Sequence, residues 1–180
     1  MITPNSHIMT VARSTKRLIL SPLKPQDAID VFEVRGDPEA MAFWDWPADA
    51  SPAVTATVIE QMLRDVASGG ARYWTVRLRS DASFAGLCDL SEMQANQSAD
   101  IGFMLVRRFW GLGLGQEAVA CVLEQARALG MRYLRARIHS QNERSARLLE
   151  RAGFKEVEEI PDFEIRPGVY RGCKRFAMAL

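Results

Sequence analysis

The sequence predicts an α/β domain with a mixed sheet, and two segments carry that prediction. In residues 101–138, an apolar run is followed by apolar residues at helical spacing and then by a strictly alternating run. This order of strand, helix and strand is typical of a crossover between parallel strands. In addition, two strand-like runs flank the polar turn Arg79–Ser83, which indicates an antiparallel hairpin.

The length and composition fit one globular domain. The chain has 180 residues, of which 48% are apolar and 25% charged, and no run approaches the ~20 apolar residues of a membrane span. We expect one domain over residues 15–180 after a flexible segment, residues 1–14. The net charge of +1 argues against nucleic acid and membrane as partners. Cys88, Cys121 and Cys173 are too widely spaced for a disulfide framework or a zinc site and fit a reducing cytoplasm.

The chain begins with a predicted strand and helix. Arg17–Leu23 is apolar and is closed by prolines, which indicates a strand. Asp27 is expected to cap a helix that ends at Gly36, with Ile29, Phe32 and Val31 facing the core.

An aromatic segment, Phe43–Pro47, separates this helix from the next. We interpret its aromatic side chains as a cap on the core, since they contribute large buried areas, with a substrate mouth as the alternative. Ser51 followed by Pro52 is a helix-start signal, and apolar positions then recur at helical spacing as far as Gly69.

The remaining elements surround the parallel crossover. Strands are expected at Tyr73–Leu78, Phe84–Leu90, Ile101–Val106 and Arg132–Ile138. A polar loop, residues 91–99, precedes the third of these strands. The crossover helix ends at Gly130, and Asn142 is placed to cap a shorter helix that ends near Gly153.

A glycine-rich segment leads into the crossover helix. Gly111, Gly113 and Gly115 lack a Cβ, so the backbone can bend there and approach a ligand closely. The first N–H groups of a helix have no partner within it, which favours an anion, and Arg107 and Arg108 add positive charge. The segment predicts a pyrophosphate site, although a turn without a ligand has the same pattern.

The spacing of these glycines argues against two common nucleotide loops. No lysine follows them as in an NTPase phosphate loop. The dinucleotide fingerprint needs GxGxxG and an acidic residue after the next strand, which here ends in His139 and Ser140. The pattern that fits is Arg-x-x-Gly-x-Gly, at Arg108, Gly111 and Gly113. In this segment the sequence resembles the GNAT N-acetyltransferases, whose acyl-CoA loop has that pattern.

Other segments carry the same resemblance. Asn142–Phe154 is similar to the family's Asn-x-x-Ser helix with its Gly-Phe end, and Asp100–Phe103 with residues 110–118 is similar to the RimJ/RimL-like branch of ribosomal-protein N-acetyltransferases. The resemblance implies the GNAT fold, a mixed, mostly antiparallel sheet that is splayed between its central parallel strands and flanked by helices. It also implies a closing hairpin, Lys155–Ile160 with Lys174–Leu180, whose loop contains Pro161, Pro167 and Gly168.

The resemblance implies acetyl-CoA as the donor, no metal, and direct attack by a primary amine in a ternary complex. It also implies that Arg108 and the glycine segment hold the pyrophosphate, while the main chain at the end of the preceding strand pairs with the pantetheine arm. The implied binding residues are Met104, Leu105, Val106, Arg108, Gly111, Leu112, Gly113, Leu114, Gly115, Gln116, Asn142 and Ser145.

The reaction also needs a base. An alkyl ammonium group has a pKa near ~10 and must lose a proton before it can attack. We rank Glu92 and His139 above Asp89 and Asp100, because Glu92 follows a strand directly and His139 ends the strand beside the expected thioester.

The leaving thiolate must gain a proton. Many members of the family have a tyrosine for this purpose where this chain has Leu149. Ser145, three residues after the motif asparagine, is the expected donor, with helix capping as its alternative role.

Other functions and several acceptors stay open. A regulatory module that binds acyl-CoA without catalysis would keep the same loop, and a Rossmann-type reductase is a more distant alternative. The acceptor could be a ribosomal-protein N-terminus, a polyamine, an amino acid or an aminoglycoside, because specificity lies in variable loops, here residues 37–50, 91–99 and 161–172. We expect a cytoplasmic monomer or homodimer.

Overall fold

The structure, a computed structural model, describes residues 12–180 as one sheet with helices on both faces. The helices are α1 (Ala28–Arg35), α2 (Pro38–Met41), α3 (Pro52–Ala67), α4 (Leu114–Ala128) and α5 (Glu143–Arg151). The strands are β1 (Arg13–Ser14), β2 (Leu18–Pro22), β3 (Arg72–Leu78), β4 (Phe84–Ser91), β5 (Ser98–Leu105), β6 (Tyr133–His139), β7 (Lys155–Arg166) and β8 (Val169–Ala179). Two 3-10 turns, Pro25–Asp27 and Arg107–Phe109, complete the elements.

The sheet has the order β1-β2-β3-β4-β5-β6-β8-β7, and β5 with β6 is its parallel pair. Pairing between β5 and β6 covers Ser98 to Asp100 on β5, opposite Tyr133 to Arg135 on β6. Beyond that point the two strands no longer pair with each other, although β5 stays paired with β4 and β6 with β8, so they diverge. The predicted fold class, a mixed and mostly antiparallel sheet splayed between its parallel strands, is confirmed.

Two apolar clusters hold the layers together. On one face α4 and α5 pack against the sheet through fully buried side chains such as Val119, Leu134 and Phe176. On the other face α1 and α3 pack against the sheet through Val31 and Ile59. Burial of such side chains stabilises the fold by roughly 1.5–3 kcal/mol each.

The predicted inner face of α1 is wrong in part. Ile29 is 75% exposed, whereas Val31 and Val34 are fully buried. Asp27 does not cap α1 with its side chain; it accepts from the N–H of Lys24 and pairs with Arg77. The helix is therefore rotated so that Val31 and Val34, one turn apart, meet α3 and the sheet.

The C-terminal hairpin is longer than predicted. Residues 161–166 and 169–173, expected in a loop, continue β7 and β8, and only Pro167 and Gly168 form the turn. Pro161 is accommodated because β7 is an edge strand with a register irregularity between Ile160 and Phe163.

The flexible segment predicted for residues 1–14 mostly concerns residues 1–11, which lie outside the described residues. Arg13 and Ser14 form β1, which pairs with β2.

Candidate active site

A cavity of about 500 Å³ lies between the end of β5 and the start of α5. Its walls come from α2 with the segment that follows it, from the end of β5 with Trp110, and from α5. They comprise Glu39, Ala40, Ala42, Phe43, Trp44, Phe103, Met104, Leu105, Trp110, Gln141, Asn142, Glu143, Arg144, Ser145, Arg147 and Leu148. We call this space the main cavity; its volume is in the usual range of ligand sites.

Main-chain groups of β5 face this space without a strand partner. The carbonyl of Gln97 accepts from the N–H groups of Arg132 and Tyr133 (2.8 and 3.3 Å), so the odd-numbered residues of β5 direct their main chain towards β6. Because pairing ends at Asp100, the N–H groups of Phe103 and Leu105 point into the gap between the diverging strands.

This parity corrects the predicted pantetheine contacts. The N–H of Val106 donates to the carbonyl of Ala85 (3.0 Å). Met104, two residues earlier, likewise directs its main chain towards β4 and away from the gap. The carbonyl of Leu105 accepts from the indole N–H of Trp110 (2.8 Å), which leaves the N–H of Leu105 free. Phe103 was not among the expected residues, since an apolar run does not reveal which residues direct their main chain to which neighbouring strand.

The glycine segment is built for backbone exposure. Gly111 and Gly113 have φ of +78° and +75°, a conformation that other residues rarely adopt, and Gly113 is the N-cap of α4. Within residues 12–180 the N–H groups of residues 111–116 have no acceptor, and free N–H groups at a helix N-terminus can bind an anion.

Gly115 also has a packing role. It is buried, and a Cβ at this position would lie 2.8 Å from Cδ1 of Leu148 and 3.4 Å from Cδ1 of Leu105. Its absence lets the first turn of α4 pack directly on β5 and α5, beside the main cavity.

Arg107 and Arg108 are not directed at the glycine segment. Arg108 pairs with Glu33, donates to the carbonyl of Phe84 (3.1 Å) and lies over the ring of Phe109 at 4.5 Å. Arg107 pairs with two carboxylates of the α2 region. The two arginines do not continue the strand, because β5 ends at Leu105 and both lie in a 3-10 turn.

Arg17 is the arginine that contacts the glycine segment. Its Nη1 donates to the carbonyl of Leu112 (2.8 Å), and its Nη2 is 3.5 Å from the position of a Cβ on Gly113. Glu117 of α4 accepts from both the Nε and the backbone N–H of Arg17 (2.7 Å each) and from the hydroxyl of Thr15 (2.5 Å). No local sequence pattern indicates this contact, since it spans nearly 100 positions of the chain.

At the start of α5 the capping residue is Asn142. Its Oδ1 accepts from the N–H of Ser145 (3.1 Å). The hydroxyl of Ser145 takes no part in the cap and makes no hydrogen bond within residues 12–180. It is therefore available to a ligand, and both residues line the main cavity.

A second cavity of about 210 Å³ adjoins the main cavity, with which it shares Ser145 and Asn142. It lies where β5 and β6 diverge, on the sheet face that carries α1 and α3. Its walls comprise Phe43, Trp44, Asp45, Asp89, Ser91, Asp100, Ile101, Gly102, Phe103, Ala136, Arg137, Ile138, His139, Asn142 and Ser145.

The aromatic segment covers this second cavity. Phe43 is 41% exposed and Trp44 is half-buried, and both line the two cavities, so the interpretation as a mere core cap is corrected. Arg171 of β8 donates to the carbonyls of Ala42 and Trp44 (3.1 and 3.3 Å), which fixes the segment to the C-terminal hairpin.

The candidate bases differ in position. Glu92 is exposed, has a φ of +48° and lines neither cavity. His139 lines the second cavity, and burial together with the charge of Arg171 lowers its pKa. Its Nδ1 accepts from the N–H of Gln141 (3.1 Å), so the neutral ring carries its proton on Nε2 and is a donor there.

Asp89, and not Glu92, has the position that a general base at this site needs. It lines the second cavity, and burial raises the pKa of its carboxyl to about 7, with the hydroxyl of Ser91 lowering it and the charge of Asp100 raising it further. Asp100 lines the cavity too but pairs with Arg135 (2.7 Å). The sequence ranked Asp89 below Glu92, because β4 is buried on both faces for most of its length and so has no alternation that would show which side Asp89 faces.

Within residues 12–180 no group of three or more histidine, cysteine, aspartate or glutamate side chains could hold a metal ion. None of the helices described in that range has both the length and the apolar character needed to cross a membrane.

Comparison with protein families gives one domain match. A family model described as the acetyltransferase (GNAT) domain matches residues 17–155. A relative from Bacillus licheniformis, the N-acetyltransferase p20, is 26% identical over 157 residues, which cover 86% of this chain and 88% of the relative.

Solved structures share the fold. A RimL ribosomal L7/L12 α-N-protein acetyltransferase in complex with CoA has a TM-score of 0.82 at 17% identity, covering 92% of this chain and 96% of that one. The spermidine N-acetyltransferase of Vibrio cholerae, in complex with CoA and spermine, has a TM-score of 0.79 at 19% identity with the same coverages, 92% and 96%.

Proposed function

The chain belongs to the GNAT acetyltransferase family, and from this we propose that it transfers the acetyl group of acetyl-CoA to a primary amine by direct attack in a ternary complex. The observation that carries the proposal is the continuity between the glycine segment and the main cavity. The first turn of α4 packs against Leu105 and Leu148, which both line that cavity. An extended donor with a pyrophosphate at one end and a thioester at the other fits such a path.

The donor's pyrophosphate is held by the N–H groups of residues 111–116, the positive end of the α4 dipole and the guanidinium of Arg17. Arg108 takes part only after it exchanges Glu33 for a phosphate. That exchange is inexpensive, because an exposed ion pair contributes about 0–1 kcal/mol.

The pantetheine arm lies along β5 as an added strand and pairs with the main chain of Phe103 and Leu105. The thioester carbonyl then reaches the gap between β5 and β6, where an unpaired N–H group stabilises the negative charge that develops on its oxygen. Divergence of the two strands is what leaves these donors free.

The amine approaches from the second cavity, which meets the main cavity at Ser145. Its nitrogen bonds to the carbonyl carbon, the carbon–sulfur bond breaks, and the sulfur takes a proton from the hydroxyl of Ser145. Ser145 recovers its proton from the nitrogen of the new amide, so the transfer is balanced.

The acceptor and the compartment are finer parts of this proposal. Polyamines and protein N-termini belong in a first screen, because similar structures are described as acetyltransferases for such groups. We also propose a cytoplasmic setting, since Cys88, Cys121 and Cys173 are buried free thiols.

The direct test is an assay of free thiol release from acetyl-CoA with a library of amines and peptides, with mass spectrometry of the products. We expect turnover with at least one amine. If acetyl-CoA raises the melting temperature but no acceptor is acetylated, the alternative of a regulatory acyl-CoA-binding module replaces this proposal.

A further inference from the structure

The second cavity has an unusual balance of charges. Arg137 is the cation in its lining, and its guanidinium is bound to both carboxylate oxygens of Asp45 (2.6 and 3.2 Å). It also lies over the ring of Phe163 at 4.4 Å. Nearby, Arg171 is committed to main-chain carbonyls of the aromatic segment. No cation in the lining is therefore available to an incoming carboxylate.

The anions of the cavity are not equivalent. Asp45 and Asp100 are each paired with an arginine, Arg137 and Arg135 respectively. Asp89 has no ion pair within the part of the chain that the structure describes. His139 has a lowered pKa and is neutral above it. When Asp89 is ionised, the cavity therefore has one negative charge that only a ligand can balance.

The sheet makes room for this carboxyl. Asp89 is opposite Gly102 on β5 and opposite Tyr73 on β3. A Cβ on Gly102 would overlap Oδ2 of Asp89, so the absence of a side chain there lets the carboxyl lie over β5 at the floor of the cavity. The aromatic rings of Phe43 and Trp44 are placed above, as a surface that attracts a cation.

We propose that this cavity selects primary amines whose neighbouring carbon carries no carboxylate, and that Asp89 binds the ammonium group of such an acceptor and removes its proton. The inference rests on the acetyltransferase function proposed above. The proton passes from the ammonium nitrogen to the carboxylate of Asp89 and then to solvent, which leaves the nitrogen lone pair for attack. A free α-amino acid is rejected, because its carboxylate would be buried beside Asp45 and Asp89 without a cation.

The test uses two matched acceptor series with acetyl-CoA as donor. One series is phenethylamine, phenylalaninamide and phenylalanine, and the other is isoamylamine, leucinamide and leucine. Rates are divided by the fraction of each acceptor in the ammonium form, which is the form that Asp89 binds, so that differences in acceptor pKa cancel. We expect kcat/KM for the amine and the amide to exceed that for the amino acid by at least about tenfold. Equal values in both series would overturn the inference.

Loss of turnover is separated from loss of selectivity by a binding measurement. The same six compounds are titrated calorimetrically into the protein loaded with CoA. If none is acetylated but the amines bind and the amino acids do not, the inference stands and the proposed catalysis fails. If amines and amino acids bind alike, or none binds, the inference is wrong.

A substitution can reverse the selectivity. Asp45→Asn removes the partner of Arg137 and frees its guanidinium for a carboxylate. The kcat/KM for phenylalanine and leucine should therefore rise several-fold relative to that for phenethylamine and isoamylamine. Glu156→Gln is the matched control, because it frees Lys174, which lines neither cavity, and should leave the ratio unchanged. An unchanged ratio in Asp45→Asn would contradict the assignment of Arg137.

The role of Asp89 is read from the pH profile. The groups that face it are Tyr73, Ser91, Asp100 and, across the cavity, Asp45, Arg137 and His139. We expect kcat/KM for phenethylamine to fall below pH about 7, and Asp89→Asn to remove that limb together with most activity. Gly102→Ala should weaken binding of the amine, because the added methyl group displaces the carboxyl of Asp89. A limb that persists in Asp89→Asn would exclude Asp89 as the base.

Discussion

At the residue scale, Asp89 is expected to lower the stability of the fold that holds it. Its pKa is raised to about 7, so the folded protein holds this proton more tightly than the unfolded chain, in which aspartate titrates near ~3.9. The stabilisation from that proton is fully present below about pH 4 and is lost as the pH rises to about 7. Asp89→Asn should therefore exceed the wild type in unfolding free energy at pH 8, by up to a few kcal/mol at about 1.4 kcal/mol per pKa unit.

Urea titrations of both proteins between about pH 4 and 8 check this expectation. The difference between variant and wild type should grow through that window, while the contributions of other groups cancel. A difference that is independent of pH would show that the carboxyl is not desolvated in the folded state.

At the same scale, substitutions of Ser145 and Asn142 distinguish the proposed catalytic role of the serine from the capping of α5. Because Oδ1 of Asn142 supplies the cap, Ser145→Ala should keep the stability of the fold but lower kcat more than it changes the KM for acetyl-CoA. Asn142→Ala should lose roughly 0.5–2 kcal/mol of stability through the missing cap. Thermal unfolding and steady-state kinetics of both variants decide the matter, and a normal kcat in folded Ser145→Ala would exclude the serine as proton donor.

At the element scale, the two ends of α4 provide a matched experiment on the donor site. Gly113 and Gly130 have nearly the same φ, +75° and +78°, so valine introduces similar backbone strain at either end. Only Gly113→Val also covers the exposed N–H groups. Acetyl-CoA should raise the melting temperature of Gly130→Val as in the wild type, but raise that of Gly113→Val far less. Equal shifts in the two variants would show that the pyrophosphate binds elsewhere.

The contact of the glycine segment with Arg17, the residue before β2, gives the second prediction at this scale. Arg17→Ala should lower the affinity for acetyl-CoA by at least about tenfold. A charge-assisted hydrogen bond contributes about 1.5–3 kcal/mol, and a tenfold change in affinity corresponds to about 1.4 kcal/mol. Arg108→Ala should lose less, because the Arg108 side chain is directed at Glu33 and the carbonyl of Phe84 and not at the glycine segment, and Arg107→Ala should lose least. Isothermal titration of the three variants ranks them, and a largest loss at Arg108 would contradict this order.

At the scale of the whole molecule, local signals predicted the elements but not how distant ones meet. Helical spacing and capping residues located α3, α4 and α5 nearly to their ends, because those signals lie within each segment. Arg17 was not among the expected site residues, and Asp89 was ranked below Glu92 and His139, since their surroundings are formed by residues distant in the sequence. The parity of β5 and the rotation of α1 depend on sheet register and helix packing, which no short pattern encodes.

The place of β8 between β6 and β7 also dictates an order of assembly during synthesis. β8 is made after the other strands described here, and β7 has no pairing with β6 until β8 is inserted between them. Arg171 arrives with that strand, and it fixes the carbonyls of an aromatic segment that was made more than 120 positions earlier. A nascent chain can thus complete the glycine segment and α4 while the wall of the amine site is still loose. The ability to hold the donor should appear before the ability to choose an acceptor.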